Sequence, residues 1–217
     1  AECRGMDWTG STNTPNLLGA ADISIGGSVL LSAGMTNSAT GDVTFVNTTG
    51  TNVTLETFGE SFGGNVTFDA TSAWILVDGF KTTRDLTLTR GTLRTAGHPL
   101  EVGDDLRAAN SNVRSLNFND SDVTIGGHLT SGDVEFRISG SNMNFSATGT
   151  ASITFVNIDP TNDNINLDLY GPIPKILPNL IFDDGTGAVV DNTNIIIYNG
   201  SGNIRNIFND ITVVQLG

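Results

Sequence analysis

Lysine is nearly absent from this 217-residue chain: Lys81 and Lys175 are the only two, beside eight arginines. Ten basic residues face 23 acidic ones, for a formal charge of −13. That balance argues against nucleic acid and against anionic membrane surfaces, since both repel an acidic chain. Long apolar runs are missing as well. The longest, Ala73–Val77 and Ile195–Tyr198, are strand-sized and fall short of the roughly 18 residues that a membrane helix needs, so no membrane insertion is expected. There is one cysteine, Cys3, which cannot form an internal bridge. It has either a partner outside this segment or none, as an inert thiol. The chain opens Ala1-Glu2-Cys3-Arg4, without a starting Met, a basic n-region or an apolar h-region. A leader has therefore been removed, or the segment is a piece of a longer chain.

What fills the polar share is unusual. Threonine (28), asparagine (23) and glycine (26) dominate. Threonine favours strands, while asparagine and glycine favour tight turns. With 38% hydrophobic residues the chain has enough for a core, and the composition points to an all-β, turn-dense protein.

A short motif recurs along the chain: Asp42-Val43-Thr44-Phe45, Asn65-Val66-Thr67-Phe68, Asp85-Leu86-Thr87-Leu88 and Ser152-Ile153-Thr154-Phe155. Looser copies are Ser115-Leu116-Asn117-Phe118 and Asp133-Val134-Glu135-Phe136. A second series lies between them: Val53-Thr54-Leu55, Ile75-Leu76-Val77, Leu100-Glu101-Val102, Val123-Thr124-Ile125, Met143-Asn144-Phe145 and Ile165-Asn166-Leu167. Most members alternate apolar and polar, which places every second side chain on one face. Turn material such as Thr49-Gly50, Phe62-Gly63-Gly64 and Gly126-Gly127 separates them. Two interleaved series with a period of about 20 predict an all-β, right-handed parallel β-helix with two or three strands per coil. An immunoglobulin-like sandwich would lack such a repeat. A coil cannot bury its inward residues alone. Stacking is expected to place Phe45, Phe68, Leu88, Phe118, Phe136 and Phe155 in one column, with about 4.8 Å between coils. Residues 1–217 read as a single module, with an irregular proline-rich connection near 170–179 that carries Pro172, Pro174 and Pro178.

The runs Cys3-Arg4-Gly5-Met6-Asp7-Trp8-Thr9-Gly10, Pro15–Gly19 and Ile23–Leu31, with Trp74–Asp78, Asp85–Gly97 and Leu100–Gly103, resemble the repeat regions of very large surface adhesins of Bacteroidetes-type bacteria, including those linked to gliding. The resemblance covers roughly residues 3 to 217. It identifies a style of repeat and carries no catalytic residues. It implies export to the cell surface, a long fibre, and attachment to cell-surface or polysaccharide ligands, with neighbouring repeats of the same chain as partners. Arg94, Ala96, His98 and Pro99 depart from the neutral residues that such a repeat would carry, so local pairing there is in doubt.

Chemistry-bearing residues are sparse. Paired carboxylates occur at Asp104-Asp105, Asp120/Asp122, Asp133/Glu135 and Asp183-Asp184. Acid and base pairs of this kind serve polysaccharide hydrolases, and calcium with a basic group serves lyases. Aspartate is also an ordinary turn residue, and with two lysines and eight scattered arginines no basic cluster is apparent. Asp183-Asp184-Gly185 and Asp159–Asn164 offer oxygen ligands for Ca²⁺ without an EF-hand spacing. His98 and His128 each lack a second ligand nearby. Six N-x-S/T triplets begin at Asn47, Asn52, Asn65, Asn119, Asn144 and Asn199. Thr87/Thr89 finds no matched copy in neighbouring repeats, which argues against an ice-binding array. The expectation is a structural stalk or adhesion module with no catalytic, metal or cofactor residues. A carbohydrate-active or carbohydrate-binding β-helix is the alternative, and a trimeric tail fibre is a weaker third reading.

Overall fold

The computed structural model describes residues 1–128, 132–148, 150–156, 164–171, 176–183, 194–198 and 206–215. Among them there is no helix, and every strand pairing is parallel. The strands form a 14-stranded sheet, a seven-stranded sheet and a two-stranded pair. The all-β expectation therefore holds, and the arrangement is consistent with a β-helix or solenoid-like fold.

Three ladders organise the strands. The first joins Val43–Asn47 to the opening halves of Val66–Leu76 and Leu86–Arg94, then to Leu106–Arg107, Val134–Arg137, Asn164–Asp168 and Asn194–Tyr198. The second joins Val53–Glu56 to the closing halves of the same two long strands, then to Arg114–Asn119 and Met143–Ala147. The third runs through Phe80–Thr82, Leu100–Val102, Asp122–Gly126, Ser152–Val156, Ile176–Asp183 and Ile207–Gln215. From Val43 to Val156 the chain visits first, second and third ladder in that order and then repeats. Parallel neighbours need such a returning connection, because a hairpin can join only antiparallel strands.

Alternation builds the core. In Val43–Asn47 and Arg114–Asn119, buried and half-buried residues follow one another one for one. The inward set includes Phe45, Phe68, Leu88, Phe118, Phe136 and Phe155, all fully buried. Phe45 and Phe68 stack with ring centres 4.9 Å apart, as do Phe155 and Phe182 at 5.2 Å. Trp74 lies 4.9 Å from Phe45 and is fully buried.

The expected single column is corrected. Phe45, Phe68 and Leu88 do align on the first ladder. Phe118 follows Leu116 on the second, Phe136 returns to the first by pairing with Leu106, and Phe155 lies on the third beside Ile125 and Phe182. The cause is a change in coil length. Val43, Val66, Leu86 and Leu106 step by 23, 20 and 20 residues, but Leu106 to Phe136 is 30 and Val134 to Ile165 is 31. A count at constant spacing slides from one ladder to the next once the coils lengthen.

The proline-rich stretch is shorter than expected. Ile176–Asp183 is a strand that contains Pro178 and pairs with Ile207–Gln215. Residues 172–175 lie outside the described residues. Arg94 pairs in register with Ile75 and Asn117, so the ladder holds there. Ala96 then takes a left-handed φ of 56° in the turn that follows. No helix among the described residues is long and apolar enough to cross a membrane.

Candidate functional site

The first-ladder strands that begin at Val43, Val66, Leu86 and Leu106 are each preceded by an Asp or Asn at the corner where the chain leaves the third ladder, and these residues stack. Asp22 Oδ1 accepts the Asp42 backbone N–H at 3.0 Å, Asp42 Oδ1 that of Asn65 at 2.9 Å, and Asn65 Oδ1 that of Asp85 at 3.4 Å. Asp85 Oδ1 accepts from Asp105 N–H at 3.3 Å, and Asp105 Oδ1 from Glu135 N–H. Short Asx side chains bond backbone groups well at such turns. The backbones approach closely here. A Cβ on Gly64 would lie 2.2 Å from the Gly41 carbonyl oxygen, so only glycine fits.

Carboxylates concentrate in the middle of this column. Asp85, Asp104 and Asp105 place one oxygen each within 4.8 Å of the others. Arg107, the outward residue two positions on, reaches all sides. Its Nη1 lies 2.6 Å from Asp85 and its Nε 2.7 Å from Glu135, and Nη2 contacts Asp105. Arg137 continues the network to Glu135 at 2.8 Å and Asp168 at 2.9 Å. Burial, reinforced by the charges of Asp105 and Asp85, pushes the Asp104 carboxyl up to about 7 against the pull of Arg107. Burial also lifts Asp105 to about 6, although Arg107 and the Glu135 N–H favour its charged form. Burial alone would lower Arg107. Its bond to Glu135 and the charges of Asp105 and Asp85 outweigh that and raise it. A hard divalent cation is the group that three such oxygens could hold. Arg107 already supplies positive charge at that position, and a proton on Asp104 near neutral pH removes part of the need for more.

The sequence pairs fare differently. Asp104-Asp105 is joined to Asp85 and Glu135, a convergence that the pairwise reading did not contain. Asp133 is separated from Glu135 in role: it caps Asn164 N–H at 2.7 Å and Asn166 Nδ2 at 2.7 Å. Asp120 and Asp122 accept from Thr148 and Ser152 hydroxyls at 3.3 and 2.7 Å. Asp184 and residues 159–163 lie outside the described residues, as does the Asn199 triplet. His128 is exposed, with its N–H on Gly103 O at 3.2 Å, and His98 is half-buried in the turn after Thr95. Asn47 is fully buried and donates to Thr51 O at 2.6 Å, so its triplet is no accessible glycan acceptor. Thr87 does have matched copies, since it pairs with Thr67, Thr67 with Thr44, and Thr44 with Ser24. Thr89 falls at the register shift between the two long strands, so one hydroxyl column forms and not the two-column array. Cys3 is free and half-buried.

Three of the eight arginines that the sequence reading took as scattered come together. Arg90, Arg94 and Arg114 line one recess of about 480 Å³, together with Asn52, Ser72 and Thr92. Spacing along the chain hides this, because the three sit on two successive coils and on opposite sides of the strand bend. The signal that could have found them is the register itself, which pairs Gly91 with Arg114 and Arg94 with Asn117.

Comparison of the chain with known protein families, curated proteins and solved structures gives no match.

Proposed function

We propose that the chain is a right-handed parallel β-helix and serves as a structural stalk or adhesion module on a bacterial surface, without catalysis of its own. The observation that carries this reading is the repeated visit to three parallel ladders around one continuous apolar interior. Right-handedness follows from the strong bias of parallel crossovers. Coils of 20 to 31 residues around a common axis hydrogen-bond above and below, and the ladder itself then resists pulling. The resemblance to adhesin repeats supports placement outside the cell and neighbouring repeats as partners. The net charge of −13 disfavours nucleic acid.

The register is tested by paired cysteines. Thr44→Cys with Thr67→Cys should crosslink across adjacent coils, whereas Thr44→Cys with Thr87→Cys, two coils apart, should not. The opposite result sinks the stacked arrangement. The activity reading is tested by incubating the protein with pectins, alginates and glucans. No new reducing ends are expected. The second reading, a carbohydrate-active β-helix, is favoured by the Asp85, Asp104, Asp105 and Glu135 convergence. Chain cleavage abolished by Asp104→Asn or Glu135→Gln would establish it in place of the first.

A further inference from the structure

The corner between first and second ladders has an uneven profile. Residues 48–52 form an exposed excursion between Val43–Asn47 and Val53–Glu56, and residues 108–113 form another, largely exposed, between Leu106–Arg107 and Arg114–Asn119. The two coils between them make none: Val66–Leu76 and Leu86–Arg94 cross the corner as continuous strands, with their register shifts between Phe68 and Ala73. The result is a saddle two coils wide, walled by both excursions and floored by Ala70, Ala73 and Gly91. Gly91 has a φ of 86°, and a Cβ there would lie 2.5 Å from Ala70 O, so the floor stays low. The upper wall is pinned by Asn110 and Asn112, whose Nδ2 groups both donate to Thr89 O at 2.9 and 3.1 Å. The lower wall is pinned by Asn52, whose Oδ1 accepts from Ala73 N–H at 3.2 Å.

Positive charge is left over in this saddle. The whole sequence has ten basic residues, and three line it. Arg90 is offset by Asp69 at 2.8 Å. Arg94 is exposed and has no ion pair among the described residues. Arg114 is 1% exposed, yet its guanidinium meets only neutral oxygens, Asn110 Oδ1 and Ser139 O, and its Nε has no partner. Buried charge is ordinarily paired with charge. The Ser72 hydroxyl, also on the saddle, is likewise without a partner. A second recess, of about 840 Å³ beside Glu2 and Arg4, carries one charge of each sign and shows no such imbalance.

We propose that the saddle binds an anionic group, a carboxylate or sulfate, on an acidic ligand: Arg94 makes the contact, Arg90 stands beside it, and buried Arg114 beneath adds positive charge that no carboxylate offsets. Guanidinium forks match the planar carboxylate and the sulfate oxygens with paired hydrogen bonds. The recess has the volume of an ordinary ligand site. The net charge of −13 does not forbid this, because at physiological salt a charge is screened over about 8 Å and the local arginines govern contact. The inference goes beyond the stalk reading and stands independently of it. The anion could be a small free one or a substituent on a polysaccharide.

The experiment titrates the complete 217-residue protein with sodium sulfate, dextran sulfate, polygalacturonate and uncharged dextran. Calorimetry and amide NMR shifts are the readouts. Sulfate or an acidic polymer should bind, uncharged dextran should not, and shifts should centre on Ser72, Gly91 and Val113. Arg94→Ala should weaken binding about tenfold, with Arg94→Lys intermediate. Lys81→Ala, on the third-ladder face and paired with Glu101, should leave binding unchanged. Binding of polymer alone assigns a sugar-borne group, and binding of sulfate alone assigns a small anion; both support the site. No binding by any anion, equal binding of dextran, or affinity indifferent to Arg94→Ala overturns it. Arg94 is chosen because it is exposed and its loss spares the fold.

Discussion

Two arginine-bearing regions of this surface differ in how their charge is settled. Along the first ladder, Arg107 and Arg137 are enclosed by Asp85, Asp105, Glu135 and Asp168, every contact within 2.9 Å. At the corner between first and second ladders, Arg94 and Arg114 have no carboxylate partner among the described residues. The first region is closed on itself: each arginine there is met by carboxylates of the protein, and its work is to hold stacked corners together. The second is open, with donors in excess of acceptors. Charged side chains are thus not equivalent evidence of function. What separates a strut from a site is whether the opposite charge is already present.

The comparison breaks most sharply at Arg107. Arg107→Ala leaves four carboxylates facing one another, so it should lower stability by about 2 kcal/mol after allowance for solvent screening, read as a fall in the denaturant midpoint. A variant as stable as the parent would mean that the network is decorative. Gly91→Ala should cost about as much, roughly 1–3 kcal/mol, because the residue needs a positive φ and its Cβ meets backbone oxygen. The same change fills the saddle floor and should weaken anion binding alongside stability.

Asp104 sharpens the contrast through pH. Its folded pKa of about 7 lies above the ordinary 3.8, so the folded protein holds this proton more tightly than the unfolded chain does. Stability from this group is therefore full below about pH 4 and is lost as pH rises through 7. Asp104→Asn should raise stability at pH 8 by roughly 1 kcal/mol, the large shift being discounted for partial exposure, and leave it little changed at pH 4. A variant destabilised at pH 8 would show that the ionised carboxylate is needed there. The smallest effect is expected at Arg94. Arg94→Ala should move stability by less than about 0.5 kcal/mol, since the side chain is exposed and unpaired. A larger loss would place Arg94 among the struts and remove the contrast.

Much of the fold was legible. The alternation in Asp42–Phe45 and Asn65–Phe68 gave both strand faces, and the same four-residue motif contains the Asx residue that caps the next coil. The sequence reading placed Asp42 and Asn65 within a strand motif and gave them no role of their own; the cap on the following coil becomes visible only when coils are stacked. The site was far less legible. Asp104-Asp105 stood out as a pair, while Asp85 and Glu135 are 20 and 30 residues away from Asp105, and nothing local ties them together. Arg114 was one arginine among eight.

Local chain chemistry decided which residues point inward, because a strand reverses its side chains at every residue and that period needs no partner. It also decided the parallel, repeating character, since equal short strands joined by turns cannot bury their apolar faces singly. Only the tertiary structure decided which strands are neighbours. Register between coils depends on the summed lengths of the corner segments, and the longer chain between Leu106 and Arg114 and between Gly126 and Val134 takes the step from 20 to 30 residues. That sum assembles the carboxylates of one face and sets three arginines around one hollow.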